Sequence, residues 1–169
     1  MNKPLLVILM GSSADLAHGR KIVETATALG LEAVVRIGSA HKTAAHVMRL
    51  LARCEAEPRP KVYITIAGRS NALSGFTDGL VSAPVIACPP PAEAFGGADL
   101  FSSLRMPSGI APAVVLDPAN AAFLAAKILA LTDAELRNRV LAYQQTQAEK
   151  VLADDAALMP GSGGEHVAG

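Results

Sequence analysis

The chain has no charge excess. Fifteen Lys and Arg balance fifteen Asp and Glu among 169 residues, so it lacks the basic footprint that nucleic acid demands. It also lacks any run of about 18 apolar residues, and no segment reads as a membrane span. Cysteine is scarce: Cys54 and Cys88 stand far apart, with neither C-x-x-C nor zinc spacing, and are expected to be two reduced thiols. There is no H-x-x-x-H pair and no Cys/His cluster, so a metal site is not expected. The phosphate-binding motifs G-x-x-x-x-G-K-[ST] and G-x-G-x-x-G are both missing, which disfavours ATP and NAD. G-x-S-x-G, the mark of one class of serine nucleophile, is missing too. Paired catalytic carboxylates are not apparent in the sequence. The N-terminal Met1-Asn2-Lys3-Pro4 runs into a short apolar segment followed by Gly-Ser. That is not a signal-peptide pattern, and a cytoplasmic location is expected.

What is present is apolar and punctuated. Half of the residues are hydrophobic (51%) and only 18% are charged, and mean hydropathy is +0.34. This length supports one domain with a proper core, and the apolar excess predicts a subunit interface. The apolar runs are short and continuous rather than alternating, as in strands covered on both faces. They predict strands at 5–10, 33–37, 62–67, 83–88 and 113–116. Helical spacing predicts helices at 17–29, stopped by Gly30, and at 43–54, capped by Thr43. Further helices are predicted at 71–81, at 117–131 after Asp117-Pro118, and from a Thr132–Glu135 capping box to about residue 152. Residues 92–110 read as a long loop with one helical turn, of a length that tends to be functional. The order predicts a single-domain α/β fold over residues 1–159. It is doubly wound and flavodoxin/Rossmann-like, with three αβα layers around a central parallel sheet. The Gly-rich residues 160–169 are expected to be a disordered tail.

Three of the predicted strands run straight into small polar loops: Gly11-Ser12-Ser13-Ala14-Asp15, Gly38-Ser39-Ala40-His41-Lys42-Thr43 and Gly68-Arg69-Ser70-Asn71. In a doubly wound sheet such loops meet at the carboxyl ends of the strands, where ligands bind. The first precedes a helix N-terminus, which favours an anion. Asp15 fits a helix cap and a carboxylate for sugar hydroxyls about equally. His41 lies beside Lys42 and two hydroxyls, where an imidazole can exchange a proton with substrate. Lys42 reads as a phosphate anchor or a solvated surface Lys, and Arg69 as an anion clamp or an ion-pair partner. Gly68 permits close backbone approach to a ligand. Ser70 and Asn71 either orient a carboxylate or cap the third helix. His18 is expected to face solvent.

Five words in order resemble the purine-pathway aminoimidazole ribonucleotide (AIR) carboxylase family. They are Met10-Gly11-Ser12-Ser13-Ala14-Asp15, Ser39-Ala40-His41-Lys42-Thr43, Ala67-Gly68-Arg69-Ser70-Asn71, Cys88-Pro89-Pro90-Pro91 and Leu104-Arg105-Met106-Pro107-Ser108-Gly109. The family has two classes. The mutase class typically carries Ser-Ala-His-Arg-Thr and a third loop containing a second His. Lys42 and the histidine-free Gly68–Asn71 loop resemble class II instead, which carboxylates AIR at C4 with CO2 to give 4-carboxy-AIR. The resemblance implies His41 as the proton shuttle. Ser12, Asp15, Ser39 and Lys42 would hold the phosphoribosyl part, with Asp15 on the ribose, and Gly68 and Ser70 would line the base and CO2 end. Gly11, Arg69, Asn71 and Met106 are also implied at the site, Met106 on a segment that closes over it. The implied chemistry needs no cofactor, and a homo-octamer or homotetramer is implied. The alternatives are the N5-carboxyaminoimidazole ribonucleotide mutase reaction on the same fold and a non-catalytic nucleotide-binding module.

Overall fold

The computed structural model describes residues 3–158; the predicted tail, 160–169, lies outside them. Five strands alternate with helices along the chain. They are β1 (Leu5–Met10), β2 (Glu32–Ile37), β3 (Lys61–Ile66), β4 (Val85–Ala87) and β5 (Ala113–Val114). The helices are α1 (Leu16–Ala28), α2 (Ala44–Glu55), α3 (Ala72–Asp78), α4 (Pro118–Leu129) and α5 (Ala134–Leu158). All strand pairs are parallel, in the order β2-β1-β3-β4-β5. That order turns back between β1 and β3, the switch point of a flavodoxin-like sheet.

The continuous apolar runs are explained by the two cores. Alternate side chains of a strand leave opposite faces of the sheet. Leu6, Ile8 and Met10 of β1 join Val62, Ile64 and Ile66 of β3 in a core closed by α1, α4 and α5. Leu5, Val7 and Leu9 join Tyr63 in a second core under α2 and α3. Every residue of β1 is buried, whereas edge strand β2 is largely half-exposed. Each large aliphatic side chain fully buried in these layers contributes roughly 1.5–3 kcal/mol.

Local signals decide the helix ends. After α1, Gly30 adopts φ 73°. Its N–H donates to Thr27 O at 2.8 Å, and Leu31 N–H donates to Ala26 O at 2.8 Å. This is the glycine-terminated stop that the sequence predicts. Asp117 caps α4 by accepting from Asn120 N at 2.8 Å. The start of α5 differs from the prediction: Asp133, not Thr132, accepts from the helix, taking Leu136 N at 2.9 Å. Glu135 is drawn into an ion pair with Arg139 one turn on (2.8 Å). Helix α5 also runs past the predicted residue 152, to Leu158. Helix α3 is shorter than predicted and ends at Gly79. The predicted long loop holds ten residues of successive 3-10 turns, Ala94–Ser103. Gly96 and Gly97, at φ 59° and 79°, bend that segment in a way a regular helix does not allow.

Glu55 ties α2 to the sheet. It accepts from Tyr63 Oη (2.8 Å), Ser82 N (3.0 Å) and Ser82 Oγ (2.8 Å). Burial alone raises its pKa, but the bonds from Ser82 and Tyr63, with Lys61 nearby, bring it below the ordinary 4.5. A carboxylate depressed on folding stabilises above its unfolded pKa, and that stability is lost as pH falls through the folded value. Glu55→Gln is expected to cost about 1–2 kcal/mol at neutral pH and to flatten the acid limb of urea-unfolding stability. An unchanged acid limb would remove Glu55 from that role.

Candidate active site

The sheet order sets β2, β1 and β3 side by side, so the loops that follow them lie together at one edge. They enclose a cleft of about 340 Å³. Gly11, Ser12 and Asp15 line it from the first loop, Ser39, His41 and Lys42 from the second, and Gly68, Arg69 and Ser70 from the third. All nine were singled out in the sequence.

In the first loop Gly11 N–H donates to Ile66 O at 2.8 Å, which fastens the end of β1 to β3. Asp15 accepts at one oxygen, Oδ2, from Ser12 N (3.2 Å) and Ser12 Oγ (3.3 Å). Asp15 stands at the N-cap position of α1 but makes no side-chain bond to that helix; its carboxylate instead reaches back over the 3-10 turn Ser13–Asp15 to Ser12, and it walls the cleft at once. Its other oxygen takes part in neither bond.

The second loop closes on Ser39. Thr43 N donates to Ser39 O (2.9 Å), Lys42 N donates to Ser39 Oγ (3.2 Å), and Thr43 Oγ1 accepts from Ser39 N (2.9 Å). The Thr43 hydroxyl is thereby spent inside the loop rather than on capping α2, as predicted; no cap bond is made. The turn holds His41 and Lys42 at its exposed tip.

In the third loop Arg69 has φ 60°, the left-handed region, and no other described non-glycine residue has positive φ. That conformation costs a residue with a Cβ roughly 1–2 kcal/mol. Asn71 leaves the cleft altogether. It is 3% exposed, and its Oδ1 accepts from Ser74 N at 3.3 Å to start α3. Its Nδ2 donates to Ser103 Oγ at 2.8 Å and its N–H to Ser102 Oγ at 2.9 Å. Of the two readings of Asn71, the helix cap is the one the fold uses. Met106 also lies off the cleft within this chain. It packs on α3, with Sδ only 3.0 Å from where a Cβ on Gly75 would stand.

The cleft thus collects two exposed cations, Lys42 and Arg69, neither ion-paired with a described residue. Against them stands the single carboxylate of Asp15. Hydroxyls of Ser12, Ser39 and Ser70 stand between them. This balance suits an anionic, hydroxyl-bearing small molecule, with His41 available for proton transfer. Among the described residues no cluster of three or more His, Cys, Asp or Glu is arranged to hold a metal ion.

Two features escaped the sequence. A second cavity of about 260 Å³, walled by Pro89, Pro90, Pro91, Leu100 and Leu116, shares Ala67, Gly68 and Arg69 with the cleft. And His18 does not simply face solvent: its Nε2 lies 3.2 Å from Cys88 Sγ. Burial, then Lys21, lowers the His18 pKa, against the opposing pull of Asp15, Cys88 and Asp117. Burial and Asp117 push the Cys88 thiol up to about 12. Cys88 is therefore held as a neutral thiol, not a thiolate nucleophile, and its Sγ donates to Leu116 O at 3.7 Å. The two residues lie 70 positions apart, so nothing local announces the pair.

Residues 5–150 match the family model for AIR carboxylase. The chain is similar to the phosphoribosylaminoimidazole carboxylase of Treponema denticola, 57% identical over 156 residues, covering 92% of this chain and 98% of that protein. It is 48% identical over 152 residues to the phosphoribosylaminoimidazole carboxylase of Archaeoglobus fulgidus, covering 90% of this chain and 83% of that protein. The crystal structure of Treponema denticola PurE superposes with a TM-score of 0.91 at 57% identity, over 92% of this chain and 99% of that one. On sequence and on fold alike, the chain belongs to the AIR carboxylase family.

Proposed function

We propose that this chain is a class II enzyme of purine biosynthesis that carboxylates AIR at C4 with CO2. C4 of AIR is enamine-like. Its electron pair attacks the carbon of CO2, a C–C bond forms, and the C4 proton then leaves to restore the aromatic ring. His41 takes that proton, and in the reverse direction returns it. The carbon nucleophile is supplied by the substrate itself, so the reaction asks for no metal or biotin. The protein's share is to hold the ribonucleotide, shelter CO2 from water and move one proton. Holding both reactants turns a bimolecular encounter into an effectively unimolecular one.

The observation that carries this reading is the single cleft in which His41 and Lys42 face Ser12, Asp15 and the Gly68–Ser70 loop. Lys42, Ser12 and Ser39 hold the phosphate and its ribose neighbour, and Asp15 accepts from ribose hydroxyls. Gly68 and Ser70 line the base and CO2 end, and Arg69 closes that end. Lys42, and a third loop without histidine, favour direct carboxylation over the mutase reaction, and both relatives quoted above carry the carboxylase name. The deciding assay supplies AIR with bicarbonate and CO2 in one vessel and N5-carboxyaminoimidazole ribonucleotide in another. Carboxylation of AIR is expected. Turnover of the N5-carboxylated nucleotide alone would establish the mutase, and turnover of neither would favour a binding module.

Lys42→Ala is expected to raise KM for AIR by about 10–100-fold, the loss of one charge-assisted phosphate contact. Steady-state kinetics over a range of AIR measures it, and an unchanged KM would remove Lys42 from the phosphate. A homo-octamer or homotetramer is the proposed assembly. It is supported by Leu141, Val151, Leu152 and Leu158, all 57% or more exposed along α5. Light scattering measures it, and a monomer would contradict it. A cytoplasmic location fits the pathway, and no described helix is long and apolar enough to cross a membrane.

A further inference from the structure

The left-handed backbone of Arg69 calls for something that holds it. Such conformations persist only where the surroundings over-determine them. The residue sits where the cleft and the proline-walled cavity meet, lining both. Upstream it is fixed by β3. Downstream the next residue but one, Asn71, is gripped by two consecutive serines of the 3-10 segment. Ser103 Oγ, 2% exposed, accepts from Asn71 Nδ2 at 2.8 Å. Ser102 Oγ accepts from Asn71 N at 2.9 Å while donating to Asp99 O at 2.7 Å. That second hydroxyl uses its proton on one side and a lone pair on the other, so it links the segment's own turn to the loop.

We infer that Ser102 and Ser103 are positioning residues for the proposed reaction: their hydroxyls clamp Asn71 and thereby hold Gly68, Arg69 and Ser70 at the base and CO2 end of the cleft. Neither serine lines the cleft, so both act through Asn71. The inference rests on the function proposed above for its catalytic consequence, but not for its structural one. Because Lys42 and Asp15 sit on other loops, release of the clamp disturbs the carboxylation step more than nucleotide binding.

Two readouts on Ser102→Ala, Ser103→Ala and Ser102→Thr test it. The first is native-state trypsin cleavage after Arg69, in an exposed bond, compared with cleavage after Arg53 in α2. Both Ala variants are expected to be cut after Arg69 about tenfold faster than the unaltered chain with no change at Arg53, since only the loop is freed. The second is AIR carboxylation. The Ala variants are expected to lose about tenfold in kcat with a dissociation constant for AIR within about twofold, and Ser102→Thr, which keeps the hydroxyl, to restore both readouts. Unchanged cleavage and kcat in folded Ala variants would overturn the clamp and leave the proposed function standing. Equal acceleration at Arg53 and Arg69 would also overturn it, as general destabilisation. Selective cleavage at Arg69 in a chain that never carboxylates AIR would uphold the clamp on the loop and overturn the proposed function.

Discussion

His41→Asn is expected to lower kcat for AIR carboxylation by about 10²–10⁴-fold, the usual contribution of a positioned acid/base group. The dissociation constant for AIR should stay within about threefold, because the phosphoribosyl contacts come from other side chains. Asn is smaller but keeps a hydrogen-bonding head near the place of the imidazole Nδ1, and it cannot take up a proton near neutral pH. The backbone of the second loop is closed by Ser39 and Thr43, not by the imidazole, so the turn should survive the substitution. Single-turnover kinetics with AIR and CO2, alongside calorimetric titration with AIR, separates the two quantities. Turnover within twofold of the unaltered chain would remove His41 from the proton transfer. A parallel collapse of AIR binding would make it a binding residue instead.

The second large effect lies at Asp15, where two roles meet in one carboxylate. Within its turn it accepts from Ser12 N and Oγ, worth about 1 kcal/mol of stability. As a ligand it accepts from ribose hydroxyls, worth about 1.5–3 kcal/mol of AIR binding. The amide oxygen of Asn can accept from Ser12 in the same way, but it lacks the charge that strengthens the sugar contact. Asp15→Asn is therefore expected to leave urea-unfolding stability nearly unchanged and to raise KM for AIR by about 10–100-fold. Asp15→Ala should show the same loss of affinity and, in addition, a fall in stability. If Asp15→Asn binds AIR normally, the residue serves its turn alone.

The architecture was open to reading from sequence because two-faced burial leaves a plain trace: six consecutive apolar residues in β1, and Val62 to Ile66 broken only by Thr65 in β3, each run ending near a small polar loop. The cleft followed from the same trace, since parallel neighbours must place their trailing loops together. What stayed hidden is long-range. Asn71 read either as a ligand or as a cap, and only the arrival of Ser102 and Ser103, about thirty residues on, makes it a buried junction. His18 looked like an exposed helical position until β4 brought Cys88 against it. At Thr43 and Thr132 the sequence offered good caps, but a neighbour outcompeted each: Ser39 captured the first hydroxyl, and Asp133 supplied a stronger acceptor than the second. Met106 belongs to a word shared with the family, yet within one chain its side chain is spent on the glycine face of α3.

Direct capture of CO2 is the central claim, and the order of addition tests it most directly. AIR is mixed with the enzyme, and the reaction is started with dissolved CO2 in one experiment and with bicarbonate in another, before the two forms equilibrate. The expected result is immediate formation of 4-carboxy-AIR with CO2, and a lag with bicarbonate that carbonic anhydrase abolishes. No consumption of AIR with either form, in an enzyme that converts the N5-carboxylated nucleotide, would contradict direct capture and return the chain to the mutase reaction.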